Sequence, residues 1–304
     1  MAEFALRFVP RFEPPPNPPR CRRPDLYQVY GPHGYRLWPS RTTTYLYPDR
    51  NPRRLMLVSN RDGFRSSREL DEPDQRPRVL VLGDSFVFGE GVEEPERFTN
   101  VLEALEPAWR VDSLGMTGFG PDLMVLTLET VGLRCRPRAV VFCMYTDDFR
   151  RVRPHYAGVG FEIPRFRLAA GRLQLKGYPP ARWWDRLWVT EAVRKFYWNS
   201  AEAERQINAA LFDRFLELSA THHFSPAIVF VPGVSETRND SSRRKWLRQY
   251  ASGKRTPFLD LTEAIRQGGP GLFIPDNPHW NPKGHQVAAR EVRRFLAAEV
   301  LGQN

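Results

Sequence analysis

Val79-Leu80-Val81-Leu82-Gly83-Asp84-Ser85-Phe86-Val87-Phe88-Gly89-Glu90-Gly91 is the stretch on which the reading of this chain turns. An apolar run of strand length passes directly into Gly-Asp-Ser and then into glycines. A serine hydroxyl is thereby presented at the carboxyl edge of a sheet, where ligands of open α/β sheets bind. A serine becomes a nucleophile only beside a base, and the base needs an orienting acid. Far downstream, Asp276-Asn277-Pro278-His279-Trp280-Asn281-Pro282-Lys283-Gly284-His285 supplies a histidine with a carboxylate three residues before it. Ser85, His279 and Asp276 are the expected nucleophile, base and acid of a serine acyl hydrolase.

Outward from this stretch, apolar runs of strand length recur at Val79–Leu82, Val111–Leu114, Ala139–Tyr145, Ala227–Val231 and Phe258–Leu261. Helical patterns lie between most of them. The clearest starts at Asn199 with Glu202 three residues on, as in a capping box. Its apolar positions Ile207, Leu211, Phe215 and Leu218 fall on one helix face. A last helix follows His285, with Ala288, Val292, Phe295 and Leu296 on one stripe. Nearly continuous apolar strands alternating with helices predict a parallel sheet covered on both faces.

Other textures flank this core. Six prolines within residues 10–19 predict an extended arm over 1–23. Residues 24–75 place Tyr27, Tyr30, Tyr35, Trp38, Tyr45 and Tyr47 among Gly, Pro and polar residues, as in short strands and turns. Asn60-Arg61-Asp62-Gly63 is a turn. The hydrolase domain then spans 76–304, with an insertion at about 150–190. There Phe166-Arg167-Leu168 and Leu173-Gln174-Leu175 flank Ala169-Ala170-Gly171-Arg172 in a hairpin pattern, followed by Trp183 and Trp184. The insertion suits a lid or substrate wall, or a cover for the sheet edge.

Composition sets the outer bounds. The 304 residues suffice for one α/β domain plus extensions, and 41% hydrophobic with 26% charged residues describes a soluble globular chain. The net charge of +10 comes from scattered, mostly arginine groups with no recognition element for nucleic acid. A solvated basic surface accounts for it, and attraction to an acidic polysaccharide is the sharper alternative. Cys21, Cys135 and Cys143 have no metal-ligand spacing and form no disulfide framework. No apolar run reaches the roughly 20 residues of a membrane span, and the first residues lack a leader pattern. The expectation is a soluble, cytoplasmic chain, with a removed leader or anchor as the alternative.

With these residues in view, the chain resembles the SGNH (GDSL-type) hydrolase superfamily over about residues 55–300. Gly83-Asp84-Ser85 matches the nucleophile block, Gly115 with Met116-Thr117-Gly118-Phe119-Gly120 the glycine block, and Asp276 with His279 the Asp-x-x-His block. The resemblance implies a three-layer αβα sandwich on a five-stranded parallel, flavodoxin-like sheet. It implies a Ser–His–Asp triad and no cofactor. Its oxyanion hole would use the N–H groups of Ser85 and Gly115 and an asparagine side chain. The asparagine block reads Tyr145-Thr146-Asp147-Asp148-Phe149 here, so Asp147 stands at the asparagine position. A carboxylate accepts hydrogen bonds and repels an oxyanion. Asp147 is therefore protonated, or turned away, or a sign of different chemistry, and the second is favoured.

Asp84 reads as a loop-stabilising residue. His285 reads as the entry into the last helix, with no third ligand to make a metal site. His222-His223 reads as a helix end. The implied activity is hydrolysis of small O-acyl esters, on carbohydrate if the aromatics of the extension and insertion stack on sugar rings. An O-acyltransferase with the same triad and a non-catalytic carbohydrate-binding module are the rival readings.

Overall fold

The structure, a computed structural model, describes residues 23–47, 52–153, 156, 158–178, 201–237 and 241–302. The proline-rich arm and Trp183-Trp184 lie outside them. Four short strands come first: β1 (Tyr27–Tyr30) pairs antiparallel with β2 (Gly34–Leu37), and β3 (Arg41–Tyr47) with β4 (Arg53–Ser59). The expected turn lies at the end of β4, where the Gly63 N–H donates to the Asn60 carbonyl at 2.9 Å.

The apolar runs then form β5 (Arg78–Gly83), β6 (Arg110–Gly115), β7 (Ala139–Tyr145), β10 (Ser225–Val231) and β11 (Phe258–Asp260). They make one five-stranded parallel sheet in the order β11-β10-β7-β5-β6. Counted along the core this is 2-1-3-4-5, the flavodoxin-like order. Its strand order reverses between β5 and β7, and Ser85 follows β5 there. The antiparallel hairpin β8 (Arg165–Ala169) and β9 (Arg172–Gly177) turns through Ala170 (φ 49°) and Gly171 (φ 73°).

Helices cover both faces because the central strands β5, β7 and β10 are apolar on both. On one face Val79, Val81 and Val111 meet α2 (Phe98–Leu105) and α8 (Pro282–Phe295) through Phe98, Leu102, Ala288 and Val292. On the other, Leu80, Leu82 and Phe142 meet α3 (Pro121–Thr130), α5 (Ala201–His222) and α6 (Ser242–Gly253) through Leu126, Phe212 and Leu247. The last helix starts three residues before His285: the Asn281 side chain caps it, accepting from the N–H groups of Lys283 and Gly284 at 3.0 and 3.2 Å. His285 is thus inside the helix, where its Nδ1 accepts the Phe98 N–H at 3.2 Å.

The extension joins the second core. Tyr27, Tyr35, Leu37, Tyr45, Tyr47, Leu55, Leu57 and Phe64 bury in one cluster with Leu82, Met116 and Phe119. Within it His33 is fully buried, ringed by Tyr30, Phe64 and Phe119, with neither ring nitrogen hydrogen-bonded. Burial, and then the Arg36 charge, push its pKa down to about 3.

A histidine buried as the neutral base favours folding only where the unfolded chain is also neutral. Between the unfolded pKa of about 6.5 and the folded value, the unfolded chain binds the extra proton. Stability therefore falls as pH drops through that window, by about 1.4 kcal/mol per pH unit for each such group. His33→Phe, which removes no hydrogen bond, is expected to flatten the stability–pH slope between pH 6 and 4 by about one proton. Denaturant titration at three pH values checks this, and an unchanged slope would refute it.

Candidate functional site

Ser85 opens α1 (Ser85–Phe88), a single turn held at both ends. Asp84 caps it, accepting the Phe86 N–H at 3.0 Å. Gly89 ends it at φ 80°, a left-handed position suited to glycine, with its N–H on the Ser85 carbonyl. Buried Arg65 of the extension donates to the Gly89 and Val92 carbonyls at 2.6 and 2.7 Å and so ties down the loop after the turn. Gly115 lies against the same turn. A Cβ there would come within 2.5 Å of the Phe88 nitrogen, so only glycine lets the end of β6 approach this closely.

Beside Ser85 lies a buried ion cluster. The Arg151 guanidinium, from α4 (Asp148–Arg151), contacts Asp84 at 3.0 Å, Asp148 at 2.5 Å and the Phe119 carbonyl at 2.8 Å. Asp148 also accepts the Tyr145 N–H at 2.9 Å. Burial, reinforced by the Asp84 charge, pushes the Asp148 pKa well up, and Arg151 opposes that rise. Asp84 is the loop-stabilising residue of the sequence reading, and the cluster connects it to the end of β7.

His279 arrives from the opposite side. The chain from Ile274 to His279 closes on itself: the Ile274 N–H donates to the His279 carbonyl, and the Asn277 N–H to the Ile274 carbonyl. Pro275 and Asp276 occupy the two central positions of this turn, with Asp276 at φ 56°, as a type II turn requires. The imidazole Nε2 lies 2.7 Å from the Ser85 Oγ. The two expected partners, 194 positions apart, are in contact.

Asp276 does not reach the ring. It is exposed at the turn's tip, and the atom on His279 Nδ1 is Asn277 Oδ1 at 2.7 Å. That same Oδ1 accepts the His279 main-chain N–H at 3.0 Å, which identifies it as the amide oxygen. Nδ1 therefore carries the proton, and Nε2 offers a lone pair to the serine hydroxyl. The Tyr47 hydroxyl, from the end of β3, lies 3.3 Å from Nδ1. Desolvation lowers the His279 pKa below its ordinary value, Glu90 and then Asp84 push it up, and Arg151 pushes it down.

Sequence reasoning missed Asn277 and Tyr47. Pro275-Asp276 was the available signal for the first, since the centre of a turn points side chains outward. Nothing local marked Tyr47. Asp147 pairs with Arg150 at 2.7 Å at the rim, both side chains partly exposed, and touches neither Ser85 nor His279. The extension's tyrosines 27, 35, 45 and 47 are buried, and the Trp38 Nε1 donates to the Pro24 carbonyl. A basic cavity of about 650 Å³, lined by Arg76, Arg78, Arg136, Arg138 and His222-His223, opens at the amino end of β5 and β7, the far end of the sheet.

Arg151→Met is expected to lower stability by about 3–5 kcal/mol, because it strands two buried carboxylates. A loss under about 1 kcal/mol in guanidinium titrations would contradict this account of the cluster.

No protein-family model and no curated protein sequence matches the chain. Solved structures do. A structure assigned to the G-D-S-L lipolytic family, from Desulfitobacterium hafniense DCB-2, superposes with a TM-score of 0.51 at 14% identity, over 73% of this chain and all of its own. The acetyl xylan esterase AlAXEase gives 0.48 at 14% identity, over 73% of this chain and 99% of its own. A G-D-S-L family member from Veillonella parvula DSM 2008 gives 0.46 at 13%, over 75% and 99%. At such identities the likeness is one of fold, and the fold of this chain is that of the GDSL-type (SGNH) lipolytic proteins.

Proposed function

We propose that the protein is an SGNH-type serine esterase that cleaves O-acyl esters through an acyl-serine intermediate. The observation that carries this is the 2.7 Å contact between Ser85 Oγ and His279 Nε2 at the switch point of the sheet. In this reading the Ser85 oxygen attacks the ester carbonyl while its proton passes to Nε2. The imidazolium then protonates the leaving alcohol, and a water activated by the same nitrogen releases the acid. Asn277 holds the Nδ1 proton, the duty the sequence assigned to Asp276. An amide oxygen does this in Cys-His-Asn proteases as well.

The oxyanion would be met by backbone donors. Ser85 is the first residue of its turn, where an N–H has no partner within the helix. Gly115 supplies the second donor of the sequence reading. Gly118 adds a third: the Tyr35 hydroxyl holds the Thr117 carbonyl at 2.6 Å, which turns the Gly118 N–H of that peptide the other way. Asp147, turned to Arg150, takes no part. Asp147→Asn is expected to leave esterase turnover level or raise it. A collapse of turnover in that variant would give the carboxylate a role and refute this arrangement.

Short acyl groups on a carbohydrate alcohol are the first class to try. A series of chromogenic esters from acetyl to octanoyl, run with wild type and Ser85→Ala, tests enzyme status and acyl size together. Wild type is expected to favour the short esters, and Ser85→Ala to lose at least about 10⁴-fold in kcat. Equal rates in the two proteins would end the esterase reading. Adding a sugar acceptor and weighing transferred against hydrolysed acetyl distinguishes transfer from hydrolysis. The base must be neutral to act, and burial holds His279 below its ordinary pKa. The acidic limb of kcat/KM is accordingly expected below about pH 6.5.

A further inference from the structure

We propose that the N-terminal extension is part of the catalytic apparatus of this chain, with Tyr47 as a positioning residue that shares the Nδ1 proton of His279 with Asn277. The inference rests on the esterase reading above and goes past it, because it adds to the Asp-x-x-His segment a strand outside the αβα sandwich in the orientation of the base.

Three observations carry it. The first is distance: among the described residues, the oxygens hydrogen-bonded at Nδ1 are Asn277 Oδ1 at 2.7 Å and the Tyr47 hydroxyl at 3.3 Å, neither of them a carboxylate oxygen. With the proton fixed on Nδ1 by the amide oxygen, the tyrosine oxygen faces it as a second, longer acceptor. The second is rigidity. Tyr47 is 5% exposed, at the last position of a strand paired with β4 in register from Arg41↔Ser59 to Tyr47↔Arg53. Its ring lies against the loop after the nucleophile: a Cβ on Gly91 would sit 2.9 Å from the ring and 2.3 Å from Ile274, the residue that opens the histidine turn. The third is electrostatic. Asn277 offers an amide and Tyr47 a phenol, so among the described residues an imidazolium gains hydrogen bonding at Nδ1 without a carboxylate bonded there. A second acceptor then matters more than it would beside a carboxylate.

Among the described residues, the charged and titratable groups that reach the imidazole are Glu90 after α1, Asp84 before it, Arg151 of α4 and His285 of α8. Arg53 and Arg65 lie on the carbonyls of the loop containing Glu90. Tyr47→Phe leaves each of these groups in place. Losing an acceptor disfavours the protonated ring, and the His279 pKa should fall.

The test is kcat and KM for p-nitrophenyl acetate across pH 4–9 in wild type, Tyr47→Phe, Asn277→Ala, Asn277→Asp and Asp276→Ala, with folding followed by near-UV circular dichroism. Tyr47→Phe is expected to lower kcat about tenfold, to leave KM within about twofold, and to move the acidic limb of kcat/KM to lower pH. Asn277→Asp should move that limb the other way, because a carboxylate favours the imidazolium. Asp276→Ala should cost less than Asn277→Ala. Tyr47→Phe with an unmoved limb would reduce the residue to packing and overturn the proposal. So would a thousandfold loss in Asp276→Ala alone. Fluorophosphonate labelling separates the two levels of inference. A wild type that labels at Ser85 while Tyr47→Phe behaves identically sinks only the role of Tyr47. A wild type that fails to label sinks the esterase reading beneath it.

Discussion

One guanidinium, nearly out of reach of water, lies between the carboxylates of Asp84 and Asp148. Asp84 stands before Ser85 at the end of β5, and Asp148 after the end of β7. These adjacent strands part their connections in opposite directions, which opens the crevice at the top of the sheet. Two anions forced together there would repel, and Arg151 turns that repulsion into a clamp. The serine turn, its cap and the mouth of the crevice keep their shape because this triad of charges is satisfied as a unit. Such a cluster contributes little net stability, but any one member removed leaves the others costly.

How much of this was legible from the residues depends on whether the signal was local. The core strands announced themselves as apolar runs, and their boundaries agree with the observed strands to within about two residues. The hairpin at Ala170-Gly171 followed from turn chemistry, and the long helix from its spacing. Ser85 and His279 were singled out because each sits at a punctuation mark, strand to glycine and turn to helix cap, and the structure brings the two into contact. The partner of Nδ1 was not. Counting three residues back selects Asp276, but a left-handed centre in the turn aims that side chain outward and brings its neighbour to the ring. A one-residue difference in a turn is decided by backbone dihedral, which motif spacing does not encode. Tyr47 was beyond reach for another reason: its contact spans 232 positions between unrelated elements.

The aromatic alternation of residues 24–75 offered a sugar-stacking surface as one reading and core as its alternative. Tyr27, Tyr35, Tyr45 and Tyr47 are buried, and the Tyr35 hydroxyl donates to the Thr117 carbonyl, as Tyr156 of the insertion does to that of Gly118. The loop after β6 is thereby held by groups from two segments that flank the sandwich. Arg65 does likewise for the loop after the serine turn. The sandwich contributes Ser85 and His279, and segments outside it hold the loops beside them.

Alternation along β3 has a consequence of its own. Its inward places are Tyr45 and Tyr47, with Leu46 between them facing solvent. Removing one residue from the strand would leave the ladder able to re-form a step out of phase, yet every side chain beyond the deletion would exchange faces. The phenol would swing to the outside and leave the imidazole. The core, which buries Tyr45 and Tyr47, and the contact with His279 are thus bound to one and the same register.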